Sequence, residues 1–360
     1  MPRSKGRAQT NDLTHGPIAR KLLIFSLPLF LATLAQQLYN TVDLLFAGNI
    51  LGASAAAAIG ASSLFVTCIV GFFGGMSVGS GVVIAQVFGK RETQTLDAAI
   101  HSTVALSLIG GVFFMVAGYL AAPWFLAVIN TPADIMTEAV VYLRVYFFSL
   151  MSVMAYNFGA GALRALGNSK SPLVAQVVGG LCNVVFDWLF LAVLGWGVAG
   201  VAWATLVSQT VAAACVIWCL TRLDERYALR LRKIKLDIGV LKHALSIGLP
   251  AGFQALAITL SNVIVQYFIN SLGTATVAAF ALYFKVELVI YLPIVAFGQA
   301  IMTFAAQNYG ARSYVRIRRG TFIWVGVSAL IALATSLAAL AGGAWLFRLF
   351  VQDAEVIALG

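Results

Sequence analysis

Two carboxylates, Asp43 and Asp187, lie inside long apolar runs of this 360-residue chain, and with them an amide, Asn183, a hydroxyl, Thr205, and a phenol, Tyr142. A charge inside a hydrocarbon-spanning helix is costly, so by default it marks an ion or substrate path. Asn183 and Asp187 are four residues apart and share a helix face. Two carboxylates in one dry site resist being ionised together, so such a pair can hold a proton and release it when water or a competing cation enters. The oxygens of Asp43, Asn183, Asp187 and Thr205 would equally suit a hard cation such as sodium. The alternative is an interhelical hydrogen-bond network that only packs the helices.

Other polar residues in the apolar runs are candidates for a cavity or a gate. Gln37 and Asn40 belong to the polar stretch that leads to Asp43. Lys285 and Glu287 lie two apart, so each needs a partner on a different helix; a cavity role and a structural ion pair both fit. Arg144 could be the counter-ion of Asp187, or could snorkel to the outer surface beside Glu138. The four cysteines all lie in apolar segments and read as small packing residues. No nucleophile elbow, phosphate loop with its lysine or HExxH pair occurs, so no enzyme is expected, and no cofactor beyond a coupling ion, H+ or possibly Na+.

The elements that must carry these residues are membrane helices. Hydrophobic residues make up 61% of the chain and charged ones 10%, more apolar surface than a soluble domain of this size can hide. Nine spans are expected, at about 18–48, 54–86, 96–121, 134–163, 171–193, 197–220, 240–270, 274–306 and 318–350. Pro28, Pro250 and Pro293 offer places for bends, and Pro28 is a candidate hinge. Counted from the span ends at 1.5 Å per residue, Asp43, Tyr142, Asp187 and Thr205 all lie roughly 8–12 Å below one surface.

The net charge of +10 does not call for nucleic acid, because twenty of the 23 Lys and Arg fall in the tail and loops of one side. The positive-inside rule puts that side, with the N-terminus, in the cytoplasm of a plasma membrane, which is the inner membrane in a bacterium. The expected partners are the lipid bilayer and small amphipathic substrates, and the protein is expected to be a monomer.

The chain also repeats itself at an offset of about 221 residues. Leu51-Gly52 matches Leu272-Gly273, Gln86-Val87-Phe88-Gly89 matches Gln307-Asn308-Tyr309-Gly310, and Arg91 matches Arg312. One repeat covers six helices, an even number, so both repeats enter the membrane in the same sense, as in secondary transporters with parallel repeats. The organisation that follows is a solvated tail at 1–17, a six-helix lobe at 18–221, a basic linker at 222–239 and a second lobe at 240–360. Ala354-Glu355-Val356 matches Ala133-Asp134-Ile135, so a tenth helix should begin there. The second lobe is therefore expected to hold three of its six helices, nine of twelve in all, as in a fragment or truncated product; a naturally nine-span protein is the alternative.

These residues resemble the multidrug and toxic compound extrusion (MATE) transporters. The resemblance rests on LPLFLATLAQQLYNTVDLLFAG with Pro28 and Asp43, QVFGKRE, GALRALGNSKSP, NVVFD at 183–187 and GLP before span seven, and it covers essentially the whole chain after residue 17. It implies twelve helices in two six-helix lobes around a V-shaped cavity, and export of amphipathic, often cationic, compounds against an inward proton or sodium gradient. It also implies an ion site built from Asp43, Asn183 and Asp187, with Thr205 and Tyr142 beside it. The absence of an acid in 255–259 is similar to the DinF-like branch, which implies coupling in the first lobe and protons before sodium. The nearest rival reading is a flippase for lipid-linked saccharides, which would need several basic residues in the cavity. A membrane enzyme or receptor would need a catalytic constellation or an outer domain.

Overall fold

A computed structural model describes residues 11–348 and 354–360. It is built from long helices: α1 (Ile18–Phe46), α2 (Ala53–Lys90), α3 (Thr93–Val128), α4 (Ala133–Ala165), α5 (Lys170–Asp187), α6 (Gly197–Thr221), α7 (Ile238–Asn270), α8 (Thr274–Gly310), α9 (Tyr314–Arg348) and the short α10 (Ala354–Leu359). Among the described residues nine helices are long and apolar enough to cross a membrane. The backbone groups of such a segment must be satisfied within it, so each apolar run closes on itself as a helix. Residues such as Leu23, Leu27, Phe113, Leu120, Phe322 and Leu340 remain exposed, forming faces that a bilayer covers.

The repeat is visible in the backbone. α2 and α8 are both entered from a glycine in a conformation that only glycine adopts easily, Gly52 at φ 87° and Gly273 at φ 97°. They end with left-handed residues at matching positions, Arg91 at φ 61° and Arg312 at φ 56°. α10 begins at Ala354, the position that matches Ala133 at the start of α4.

The two halves meet through close helix crossings. α2 and α8 cross at their basic ends, where a β-carbon on Gly89 would strike the carbonyl of Gln307 and one on Gly310 would strike the carbonyl of Gln86. Further out, α2 lies against α7 through two glycine pairs. A β-carbon on Gly75 would come 2.6 Å from the carbonyl carbon of Ala251, one on Gly248 2.6 Å from the Met76 oxygen, and Gly79 faces Ala244 and Gly248. Small residues spaced by four let membrane helices approach to backbone contact.

One expectation changes here. Residues 11–14, expected as part of a solvated tail, pack against the helices. Leu13 is fully buried with Phe25, Phe304 and Trp324, its N–H donates to Gln307 Oε1 (2.9 Å), and its carbonyl accepts from Asn308 Nδ2 (3.3 Å) and Arg316 Nη2 (3.2 Å). The Asn11 N–H donates to the Leu166 carbonyl (3.2 Å). An apolar side chain with a hollow to fill and backbone groups with partners inside has no reason to stay in water. Helix α1 continues through Pro28, the candidate hinge, and is followed by a π-helical turn at Ala47–Leu51. A proline removes one hydrogen bond, which a long packed helix can absorb.

The basic linker is likewise folded back. Leu229 N–H bonds the Leu220 carbonyl, Asp237 N–H donates to Ser102 Oγ (2.8 Å), and Arg230 N–H donates to His101 Nε2 (3.1 Å), leaving that ring nitrogen as an acceptor.

Candidate functional site

α1 and α5 run parallel and touch at Tyr39, whose ring packs on Gly180; a β-carbon there would lie 3.2 Å from Tyr39 Cδ1. One turn further out on α1 stands Asp43, and one to two turns further out on α5 stand Asn183 and Asp187. The two carboxylates lie within electrostatic reach of each other. Tyr142 of α4 lies within electrostatic reach of both. On the other side of α5, Gly179 packs against Ser208 and Ala212 of α6, so the antiparallel pairing sets Asn183 at the level of Thr205. The structure thus brings Asp43, Tyr142, Asn183, Asp187 and Thr205 to one level of one helix group.

Their surroundings are dry. Asn183 and Asp187 are 0% exposed, and Tyr142 and Thr205 are buried. Asp43 Oδ1, both amide atoms of Asn183 and both carboxylate oxygens of Asp187 have no hydrogen-bond partner among the described residues. The Thr205 hydroxyl donates to the Val201 carbonyl (3.0 Å), which leaves its oxygen free to accept. An unsatisfied buried polar atom costs about 1–3 kcal/mol. A proton shared by the carboxylates, or a cation set among these oxygens, would offset that cost. Among the described residues no group of three His, Cys, Asp or Glu could hold a metal, so a cation here would rely on amide and hydroxyl oxygens beside the two acids.

Both acid-bearing helices end in π-helical turns that touch one another, Ala47–Leu51 after Asp43 and Trp188–Val193 directly after Asp187. Wide turns of this kind recur at functional sites, because they re-aim side chains at little cost to the helix.

A central cleft between the halves lies apart from this acid cluster. Its deeper part, about 250 Å³, is bounded by α1, α2, α4, α5 and α8, and includes Gln36, Ser77, Asn157, Arg164, Gln176 and Thr303. Its wider part, about 420 Å³, shares Gln36, Tyr156, Asn157 and Gln176 and adds Tyr39, Asn40, Tyr146, Gln209 and Tyr291. The Gln209 amide donates to the Tyr39 hydroxyl (3.1 Å). Tyr39 lines the cleft and also lies within electrostatic reach of Asp43, so it stands between the two sites.

Several expected residues fall elsewhere. Asn40 lines the cleft, whereas Gln37 does not; its helix neighbour Gln36 takes that place because the cleft-facing stripe of α1 runs through 29, 32, 33, 36 and 40. Arg144 pairs with neither Asp187 nor Glu138 among the described contacts. Its guanidinium lies 5.1 Å from the centre of the Tyr119 ring, a cation–π contact toward α3 and away from the cleft. Glu287 is half-buried and makes no ion pair with a described residue. The side chain of Lys285 lies outside the described residues. Arg164, read from sequence as a loop charge, is a cleft residue: the last turn of α4 extends to Ala165 and carries it inward.

The MatE family model matches residues 28–189 and 250–360. The chain is 29% identical over 351 residues to the probable multidrug resistance protein YpnP of Bacillus subtilis (strain 168), which takes in 97% of this chain and 78% of that protein. It is 26% identical over 368 residues to the probable multidrug resistance protein YoeA of the same organism, covering 100% of this chain and 77% of the other. Among solved structures, the outward-facing conformation of a multidrug resistance MATE family transporter of the MOP superfamily superposes with a TM-score of 0.88 at 25% identity, over 97% of this chain and 78% of that one.

Proposed function

Because this chain belongs to the MatE family of membrane transporters, we propose that it exports amphipathic organic compounds in exchange for a cation taken up at Asp43 and Asp187. It is a multi-span membrane protein and not an enzyme. The observation that carries the exchange is the set of buried, unpartnered atoms on Asp43, Asn183 and Asp187, set apart from an open polar cleft and joined to it through Tyr39. The relatives named for multidrug resistance support the substrate class.

In this reading the basic side is cytoplasmic, as the positive-inside rule requires, and the cation enters from the opposite side. Protonation of the pair removes the mutual repulsion of the carboxylates, which changes the preferred packing of α1 against α5 and narrows the cleft from the Tyr39 side. Deprotonation restores the wider cleft. A ligand that prefers one state and a proton that prefers the other are thereby coupled through one two-state element. Protons are favoured over sodium because the two acids lie within electrostatic reach of each other in a dry site, where a shared proton relieves their repulsion.

Efflux of a fluorescent substrate from cells, with the proton and sodium gradients collapsed separately, tests the exchange. The expected result is that a protonophore stops efflux and sodium removal leaves it running. Loss on sodium removal alone would assign the same residues to sodium, and efflux that survives both treatments would overturn ion-coupled export.

A further inference from the structure

The cleft has a charged floor that the coupling site does not use. Arg164 lines the deeper cavity, and its Nη2 lies 3.8 Å from where a β-carbon on Gly161 would sit, at the crossing of α2 and α4 beside the Ser77 carbonyl. Among the described residues no carboxylate lies within ion-pair distance of it, and no side-chain hydrogen bond engages it. Nor does it cap its own helix: the backbone amides that follow do so, Leu166 N–H donating to the Ala162 carbonyl (3.2 Å) and Gly167 N–H to the Arg164 carbonyl (2.8 Å). The position in the last turn of α4 helps the charge to stay there, because helix C-termini favour cations.

Neither cavity has an acidic residue in its lining among the described residues. A cleft built for cations would be expected to offer them a carboxylate, and Asp43 and Asp187 line neither part of it. What the floor offers instead is a guanidinium fork with amides around it, Gln36, Asn157, Gln176 and Gln299. Above it stand the phenol rings of Tyr39, Tyr146, Tyr156 and Tyr291. A guanidinium matches an oxyanion with two parallel hydrogen bonds, and tyrosine rings match a flat apolar body.

We propose that Arg164 anchors the substrate by an anionic group, so that the compounds this protein carries are amphipathic carboxylates or zwitterions, with the apolar body against the tyrosines. The proposal rests on the cleft being the transport site. It departs from the cationic substrates that the sequence resemblance implies.

Tetramethylrhodamine and its methyl ester differ in one group, a free carboxylate against an ester. Their binding to the full chain in phosphatidylcholine nanodiscs, followed by fluorescence polarisation, tests the anchor. The wild type is expected to bind the acid about tenfold or more tightly than the ester, the factor of a charge-assisted hydrogen bond. Arg164→Gln should erase that preference and leave the ester unchanged, while Arg164→Lys retains part of it. Asn157→Asp, which adds a carboxylate to the same cavity, should weaken the acid alone and serves if the Arg164 variants do not fold. Equal binding of the two dyes by wild type, a preference for the ester, or equal weakening of both by Arg164→Gln would overturn the anion anchor while leaving transport standing. If neither dye bound the wild type and neither were exported, the transport reading would fall with it.

Discussion

Asn183 is a buried amide whose two polar atoms have no described partner, and a leucine has the same branching at Cγ with no polar atom to leave unpaired. Holding it there costs about 1–3 kcal/mol. Asn183→Leu should therefore keep or raise the unfolding temperature while lowering ion-driven efflux by about tenfold or more. A fall in both would make Asn183 a packing residue. The pair of acids and this amide were legible in the sequence for a physical reason, since hydrocarbon makes every polar side chain expensive and so conspicuous. Arg164 was not legible, because a charge near the end of a helix looks the same from sequence whether it points into a loop or back into a cleft. Arg144 shows the other limit. Its partner is an aromatic ring on α3, and spacing along α4 says nothing about which helix stands opposite.

Helices and their crossings set where these residues stand. The repeat was readable in paired motifs because the same glycine turn and the same left-handed cap recur at an offset of 221 residues, from Gly52 and Arg91 to Gly273 and Arg312. The contact of α2 with α7 was not, since a glycine spaced by four has no meaning until its partner is known. Gly79→Leu would push a side chain into Ala244 and Gly248, and overpacking of this kind costs about 1–3 kcal/mol. The expected outcome is a lower unfolding temperature in detergent with the helix content unchanged. A variant as stable as wild type would show that α2 and α7 need not touch in the ground state.

The segment 11–15 is an element of the same kind, a strap across the basic ends of α2, α4 and α8. Its hold depends in part on Asp12. Burial alone would raise that carboxyl, but it accepts hydrogen bonds from the Thr14 N–H (2.8 Å) and hydroxyl (2.5 Å), and these, with His15 and Lys21 nearby, hold it below its ordinary 3.8. A depressed carboxyl contributes stability that is present above its ordinary value and lost as pH falls through the lowered one. Hydrogen exchange at 11–15, corrected for intrinsic rate, should be flat from about pH 5 to 8 and rise below about 3.8. A rise that already begins well above pH 5 would contradict the role given to Asp12. Leu13→Ala should loosen the strap by about 2–5 kcal/mol, read as faster exchange at 11–15 at neutral pH.

At the scale of the whole molecule, two halves share a cleft whose basic end is closed by the Gly89–Gly310 crossing and the strap, while the acids that would sense the ion lie inside one half. In the proposed exchange, ligand and ion would occupy separate places and influence each other through the packing of the helices between them. The most direct test is dye export from proteoliposomes with an imposed pH gradient, comparing wild type with Asp43→Asn. Asp43→Asn should insert and fold as wild type does, yet fail to respond to the gradient. Gradient-driven export by Asp43→Asn at the wild-type rate would contradict the assignment of this carboxylate pair as the coupling site.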